Sequence, residues 1–108
     1  MARKLSPELL ALIAQRFKAL SEPARLEILS ALRRRELTVS ELVEETGMGQ
    51  ANVSKHLQML HAMGFVDRRK GGVFVHYALA DQSVFDLCDA MCDRVESQVK
   101  QRRKIVAQ

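Results

Sequence analysis

The sequence has no tryptophan, one tyrosine, two prolines and two cysteines. Two cysteines are too few for a disulfide-stapled secreted scaffold, which needs several bridges to replace a core. The low proline and glycine content excludes collagen-like and low-complexity chains. No apolar run approaches the ~20 residues that span a bilayer, so no membrane partner is expected. The start, "MARKLSPELL", is basic but has neither the apolar stretch nor the small-residue cleavage site of a signal peptide. Cytoplasmic residence is the expectation. Glycine-rich phosphate loops, nucleophile elbows and metal-hydrolase patterns are also missing. The thiols have no histidine nearby in sequence to activate them, so an enzyme is not expected.

What is present is a chain of 108 residues, 47% hydrophobic and 28% charged, the balance of one globular domain spanning 1–108. A domain this small buries a modest core and often gains by pairing. The net charge of +4 hints at an anionic partner. The positive charge falls in three clusters: Arg33 to Arg35, Arg68 to Lys70, and Arg102 to Lys104. The first and third read as solvated surface.

Helical periodicity dominates the order of elements. Residues 7–20 place Leu9, Leu10, Ile13, Phe17 and Leu20 on one side, with Ser6 as cap and Pro7 at the first helical position. A second helix starts near Ser21 or Glu22, with Leu26, Ile28, Leu29 and Leu32 as its apolar side. A short third helix has a capping box, Thr38 with Glu41, and stops at Gly47. A fourth, 49–63, packs Val53, Leu57 and Leu60 and ends at Gly64. Short helix, tight turn, helix is the helix-turn-helix arrangement. Residues 65–79 read as two strands around a Gly71-Gly72 turn. A last helix, 81–104, carries a stripe of Val84, Leu87, Cys88, Met91, Val95 and Val99. The fold class is therefore mainly α with a β-hairpin wing: about five helices and two strands.

A helix that reads DNA needs one face to pack and another to hydrogen-bond with base edges. Gln and Asn pair bidentately with adenine, and Ser adapts to donors and acceptors. Gln50, Asn52, Ser54, Lys55, His56 and Gln58 supply such groups along the fourth helix. Of these, His56 suits packing, a phosphate or a base, with the first two together favoured over the third. Arg68, Arg69 and Lys70 then stand near the hairpin tip, suited to the phosphate backbone or minor groove. An adaptor that binds only protein would be expected to show acidic or apolar residues on that helix instead.

In this order the segments "LSEPARLEIL", "VSELVEETGMGQANVSKHLQMLHAMGFVDRRKGG" and "VHYAL" resemble the ArsR/SmtB family of winged helix-turn-helix repressors over roughly residues 9–99. The resemblance implies a homodimeric bacterial repressor of an operon. It would bind double-stranded DNA at an inverted-repeat operator and be released by an inducer. Surplus apolar residues on the first and last helices agree with dimerisation through 7–20 and 81–104. A two-fold axis would set two reading helices about 34 Å apart.

The family's metal sites are not matched. Where its third-helix cysteine motif falls, this chain has Thr38 and Ser40. Where its last-helix zinc ligands fall, Asp81 matches but Ser83, Arg94 and Ser97 do not. What remains is "DLCDAMCDR", with Cys88 and Cys92 four residues apart on one helical face. No cofactor is required. As(III) or another soft metal ion is a candidate inducer at this pair, with a third thiolate from the partner chain. A redox or reactive-sulfur switch is the alternative, and so is plain packing, since free cysteine behaves as a small buried hydrophobe.

Overall fold

The computed structural model describes residues 3–107. Helix α1 spans Pro7–Ala19, α2 Pro23–Leu32, α3 Val39–Thr46, α4 Gln50–Ala62 and α5 Ser83–Ala107. Strands β1 (Leu37–Thr38), β2 (Val66–Gly71) and β3 (Phe74–Leu79) form one antiparallel sheet in the order β1-β3-β2.

The helix ends follow local chemistry. The Ser6 hydroxyl accepts from the Leu9 amide at 3.1 Å, with Pro7 behind it. At α3 the capping box closes both ways: Thr38 Oγ1 accepts from the Glu41 amide at 3.2 Å, and Glu41 Oε1 accepts from the Thr38 amide at 2.9 Å. Gly47 ends α3 at φ +74°, the left-handed region that glycine enters without a Cβ penalty.

Two features depart from the expectation of two strands around a Gly71-Gly72 turn. The first is β1, whose Leu37 and Thr38 pair with Tyr77 and His76. A two-residue strand has no period to detect; it forms because β3 offers an open edge and Leu37 is fully buried beneath it. The second is the turn. Gly71 pairs with Phe74, so the two loop residues are Gly72 and Val73. Only Gly72 has positive φ there, at +66°, at the first loop position as in a II′-type turn. Gly71 stays in the strand, where an added Cβ would stand 3.0 Å from the His76 ring.

The core joins Ile28, Leu29 and Leu32 of α2, Leu42 of α3, Val53, Leu57 and Leu60 of α4, and Phe65, Val66 and Tyr77 of the hairpin region. Each of the larger aliphatic side chains contributes about 1.5–3 kcal/mol by full burial. The start of α5 adds Val84 and Phe85, so Val84 belongs to this core and not to a surplus face. Beyond Cys88, every described side chain of α5 is exposed. The Cα radius of gyration, 16.9 Å, exceeds the ~13 Å of a compact chain this long. The long part of α5 beyond Cys88, with its described side chains exposed, accounts for the excess.

Candidate nucleic-acid interface

Helix α4 is anchored by its inner face. Val53, Leu57 and Leu60 have no solvent exposure. Gln50, Asn52, Lys55 and Gln58 are exposed, and Ser54 is half-buried. Gly49 starts the helix without a side-chain cap. Amide donors at such an end suit phosphate oxygens.

His56 does not join the outer face. One turn before and after it lie Val53 and Leu60, so the spacing turns its ring inward. Its Nδ1 accepts from Arg25 Nε at 3.2 Å and lies 3.6 Å from Glu22 Oε2. Arg25, buried between helices, also donates to the Ala19 carbonyl at 3.1 Å. One guanidinium thus ties the end of α1 and the start of α2 to α4. Of the roles open to His56, the structure places its ring in the junction of α1, α2 and α4 and not on the exposed face of α4.

The hairpin follows α4 closely and packs against it. Arg68, Arg69 and Lys70 are all exposed. They are not equivalent. Arg69 sits across from His76 and forms an ion pair with Glu36, just ahead of β1. The hydrogen bond from Arg69 holds the Glu36 carboxyl below its usual pKa. Arg68 and Lys70 have no ion-pair partner among the described residues.

The first arginine cluster is more than solvated surface. Arg33 grips Asp89 of α5 with two bonds of 2.7 Å, and its guanidinium lies 4.4 Å over the Phe85 ring. Arg35 reaches Glu41 at 3.0 Å and Glu45 at 3.5 Å. No local pattern signals these pairings, because Arg33 and Asp89 are 56 residues apart. A second link runs through Arg16, which bonds Asp81 and the Met63 carbonyl, each at 2.9 Å, and lies 4.4 Å over Phe65. Asp81 also accepts from the Ser83 amide at 3.0 Å, capping α5. Its carboxylate is therefore engaged in structure.

An apolar groove of about 420 Å³ runs between α1, α2 and α5, lined by Phe17, Leu20, Leu87, Met91 and both cysteines among others. Cys88 is half-buried and Cys92 exposed. Burial raises the Cys88 pKa, with Asp89 adding to the effect and Arg33 opposing it. A hydrogen bond to Glu96, at 3.5 Å, raises that of Cys92. Both groups are thiols at neutral pH. Among the described residues of one chain, no three metal-ligating side chains come together. No described helix is long and apolar enough to cross a membrane.

Comparison with known proteins adds four findings. Residues 22–68 match the family model described as bacterial regulatory protein, arsR family. A transcriptional repressor SmtB homolog from Synechocystis is 34% identical over 99 residues, covering 87% of this chain and 75% of that one. A probable mercury resistance operon repressor from Streptomyces lividans is 40% identical over 74 residues, 68% of this chain and 59% of that one. Among solved structures, a homodimeric winged helix-turn-helix DNA-binding domain from Mycobacterium bovis superposes with a TM-score of 0.78 at 29% identity. It covers 94% of this chain and 95% of that one.

Proposed function

The chain belongs to the arsR family of bacterial regulatory proteins, and on that basis we propose a homodimeric transcriptional repressor that reads inverted-repeat operator DNA with α4. One observation carries this reading: α4 buries Val53, Leu57 and Leu60 completely while presenting Gln50, Asn52, Lys55 and Gln58 to solvent. A rigidly backed helix with an amide-rich outer face suits base edges in the major groove. Ser54, half-buried, sits at the margin of that face. Arg68 and Lys70 supply phosphate contacts from the wing, and Arg69 joins them when it leaves Glu36.

The dimer reading rests on unsatisfied apolar surface. Leu10, Leu12 and Phe17 of α1 and Leu87, Met91, Val95 and Val99 of α5 are all more than two-fifths exposed. A patch that large on a small domain marks an interface. A second copy would bury it about a two-fold axis.

Cys88 and Cys92 stand in that same surface, and they are the proposed inducer site. Two soft sulfur donors with Asp89, Asp93 and Glu96 around them favour a thiophilic cation such as As(III), Cd(II) or Hg(II). Binding would displace the thiol protons, and a partner cysteine would complete a trigonal sulfur set. Raised thiol pKa values leave little thiolate for rapid oxidation, which favours a metal over a redox signal. DNA binding itself needs no cofactor.

The test has two arms. Asn52→Ala should lose about 1–3 kcal/mol on a cognate duplex and little on random DNA. Equal losses on both would show that α4 does not read bases. Cys88→Ser with Cys92→Ser should keep DNA affinity while ending release by As(III), Cd(II) or Hg(II). Undiminished release would remove the cysteines from the mechanism.

A further inference from the structure

The wing ends in two side chains that the reading above leaves unused. Val73 is 91% exposed and Phe74 is 58% exposed, both at the Gly72–Val73 turn. Val73 is the most exposed of the large hydrophobic residues described. These two lie on the hairpin, not on α1 or α5, so the proposed dimer surface does not explain them.

Their position conflicts with local preference. Turn positions favour Gly, Asn, Asp, Ser and Pro, and a β-branched valine has no local reason to be there. Gly72 already supplies the positive φ the turn requires. A polar residue after it would be better hydrated and equally compatible with the backbone. Sequences that break such a rule tend to do so at functional positions.

The surroundings say what would cover the tip. On β2, Arg68, Arg69 and Lys70 run towards the turn, and the acidic residue of that strand, Asp67, lies at its far end. An apolar point flanked by cations is poorly matched to another apolar protein surface. It is well matched to the DNA minor groove, where phosphates line the rims and deoxyribose C–H groups form the walls. Minor-groove proteins combine basic side chains with apolar wedges in this way.

We infer that Val73 and Phe74 form an apolar wedge that enters the minor groove beside the site of α4, with Arg68 and Lys70 on the flanking phosphates. This inference rests on the DNA-binding reading. The wedge contributes affinity without releasing counterions, because neither residue is charged. It therefore adds binding that salt does not screen.

The experiment uses the full-length protein and a duplex selected by it from a random pool. Val73→Ser and the pair Val73→Ser with Phe74→Ser are compared with wild type and with Arg68→Ala. Both mutated side chains are solvent-exposed, and the single Val73→Ser change, at a nearly fully exposed site, keeps the test valid if the double variant folds poorly. The double variant should bind about tenfold more weakly with an unchanged salt slope. Arg68→Ala should lower that slope by about one. Hydroxyl-radical cleavage should show minor-groove protection beside the α4 sites in wild type, lost in the double variant. Methylation protection in the major groove should persist. Wild-type affinity and flank protection in the serine variants would overturn the wedge. So would a shift of the variants to monomer, which would make the tip a protein contact. If wild type selects no duplex at all, the DNA-binding reading fails instead.

Discussion

Arg25 of α2 donates from Nε to Nδ1 of His56 on α4, 3.2 Å away. Its other nitrogens reach the Ala19 carbonyl at 3.1 Å and Glu22 at 3.6 Å. Helix α4 is thereby fixed by directional bonds as well as by its aliphatic side chains. Arg25→Ala should cost about 1–3 kcal/mol in urea unfolding, because the Ala19 carbonyl and His56 would lose their partner. Arg25→Lys should recover little, since an ammonium cannot reproduce the planar fork. An alanine variant within about 0.5 kcal/mol of wild type would show that the apolar contacts suffice.

The Glu36–Arg69 pair makes a second prediction. A phosphate must compete with Glu36 for Arg69, so Glu36→Gln should tighten DNA binding a few-fold. In an Arg69→Ala background the same substitution should have almost no effect. Double-mutant cycles measure this coupling directly. Additive effects would mean that Glu36 acts only as a diffuse negative charge near DNA. Arg69→Ala alone should weaken binding less than Arg68→Ala, which has no ion pair to give up.

Acid should loosen the joint between α5 and the winged core. The Arg33 hydrogen bonds hold the Asp89 carboxyl below its ordinary pKa, and hydrogen bonds from Ser83, helped by Arg16, do the same for Asp81. A carboxyl with a depressed folded-state pKa contributes stability above its unfolded value, near 3.9. That contribution is lost as pH falls through the lower folded value. Urea midpoints measured from pH 6 downward should therefore fall less steeply for Asp89→Asn than for wild type. Parallel curves would mean that the Arg33–Asp89 bridge adds nothing measurable.

The capping box at α3 offers a local test. Thr38→Ala should cost about 1 kcal/mol, and Thr38→Ser should restore most of it. Chemical denaturation reads both, and equal stability of all three proteins would contradict the assigned role.

What could be read from the sequence was local or periodic. Ser6, Thr38 with Glu41, and Gly47 announce helix ends through contacts three or four residues long. Val53, Leu57 and Leu60 announce the buried side of α4 by their spacing, and that also exposes its polar side. Strand β1 escaped because two residues carry no alternation and its pairing with β3 is tertiary. The hairpin turn was misplaced by one residue because Gly71 and Gly72 suit it equally in isolation; pairing of Gly71 with Phe74 decides between them. The chemistry of His56 suits packing, a phosphate or a base, and its place one turn from Val53 and Leu60 points its ring inward. The Arg33–Asp89 and Arg69–Glu36 bridges join distant segments, so composition showed only clusters of charge.

The central claim is that two copies of α4 lie together in successive major grooves of one operator. Sedimentation of the complex with a selected duplex, combined with methylation protection on that duplex, tests it most directly. The account predicts two chains per duplex and two protected patches about 34 Å apart along the helix axis. One chain per duplex, a single patch, or no protection under saturating protein would contradict it.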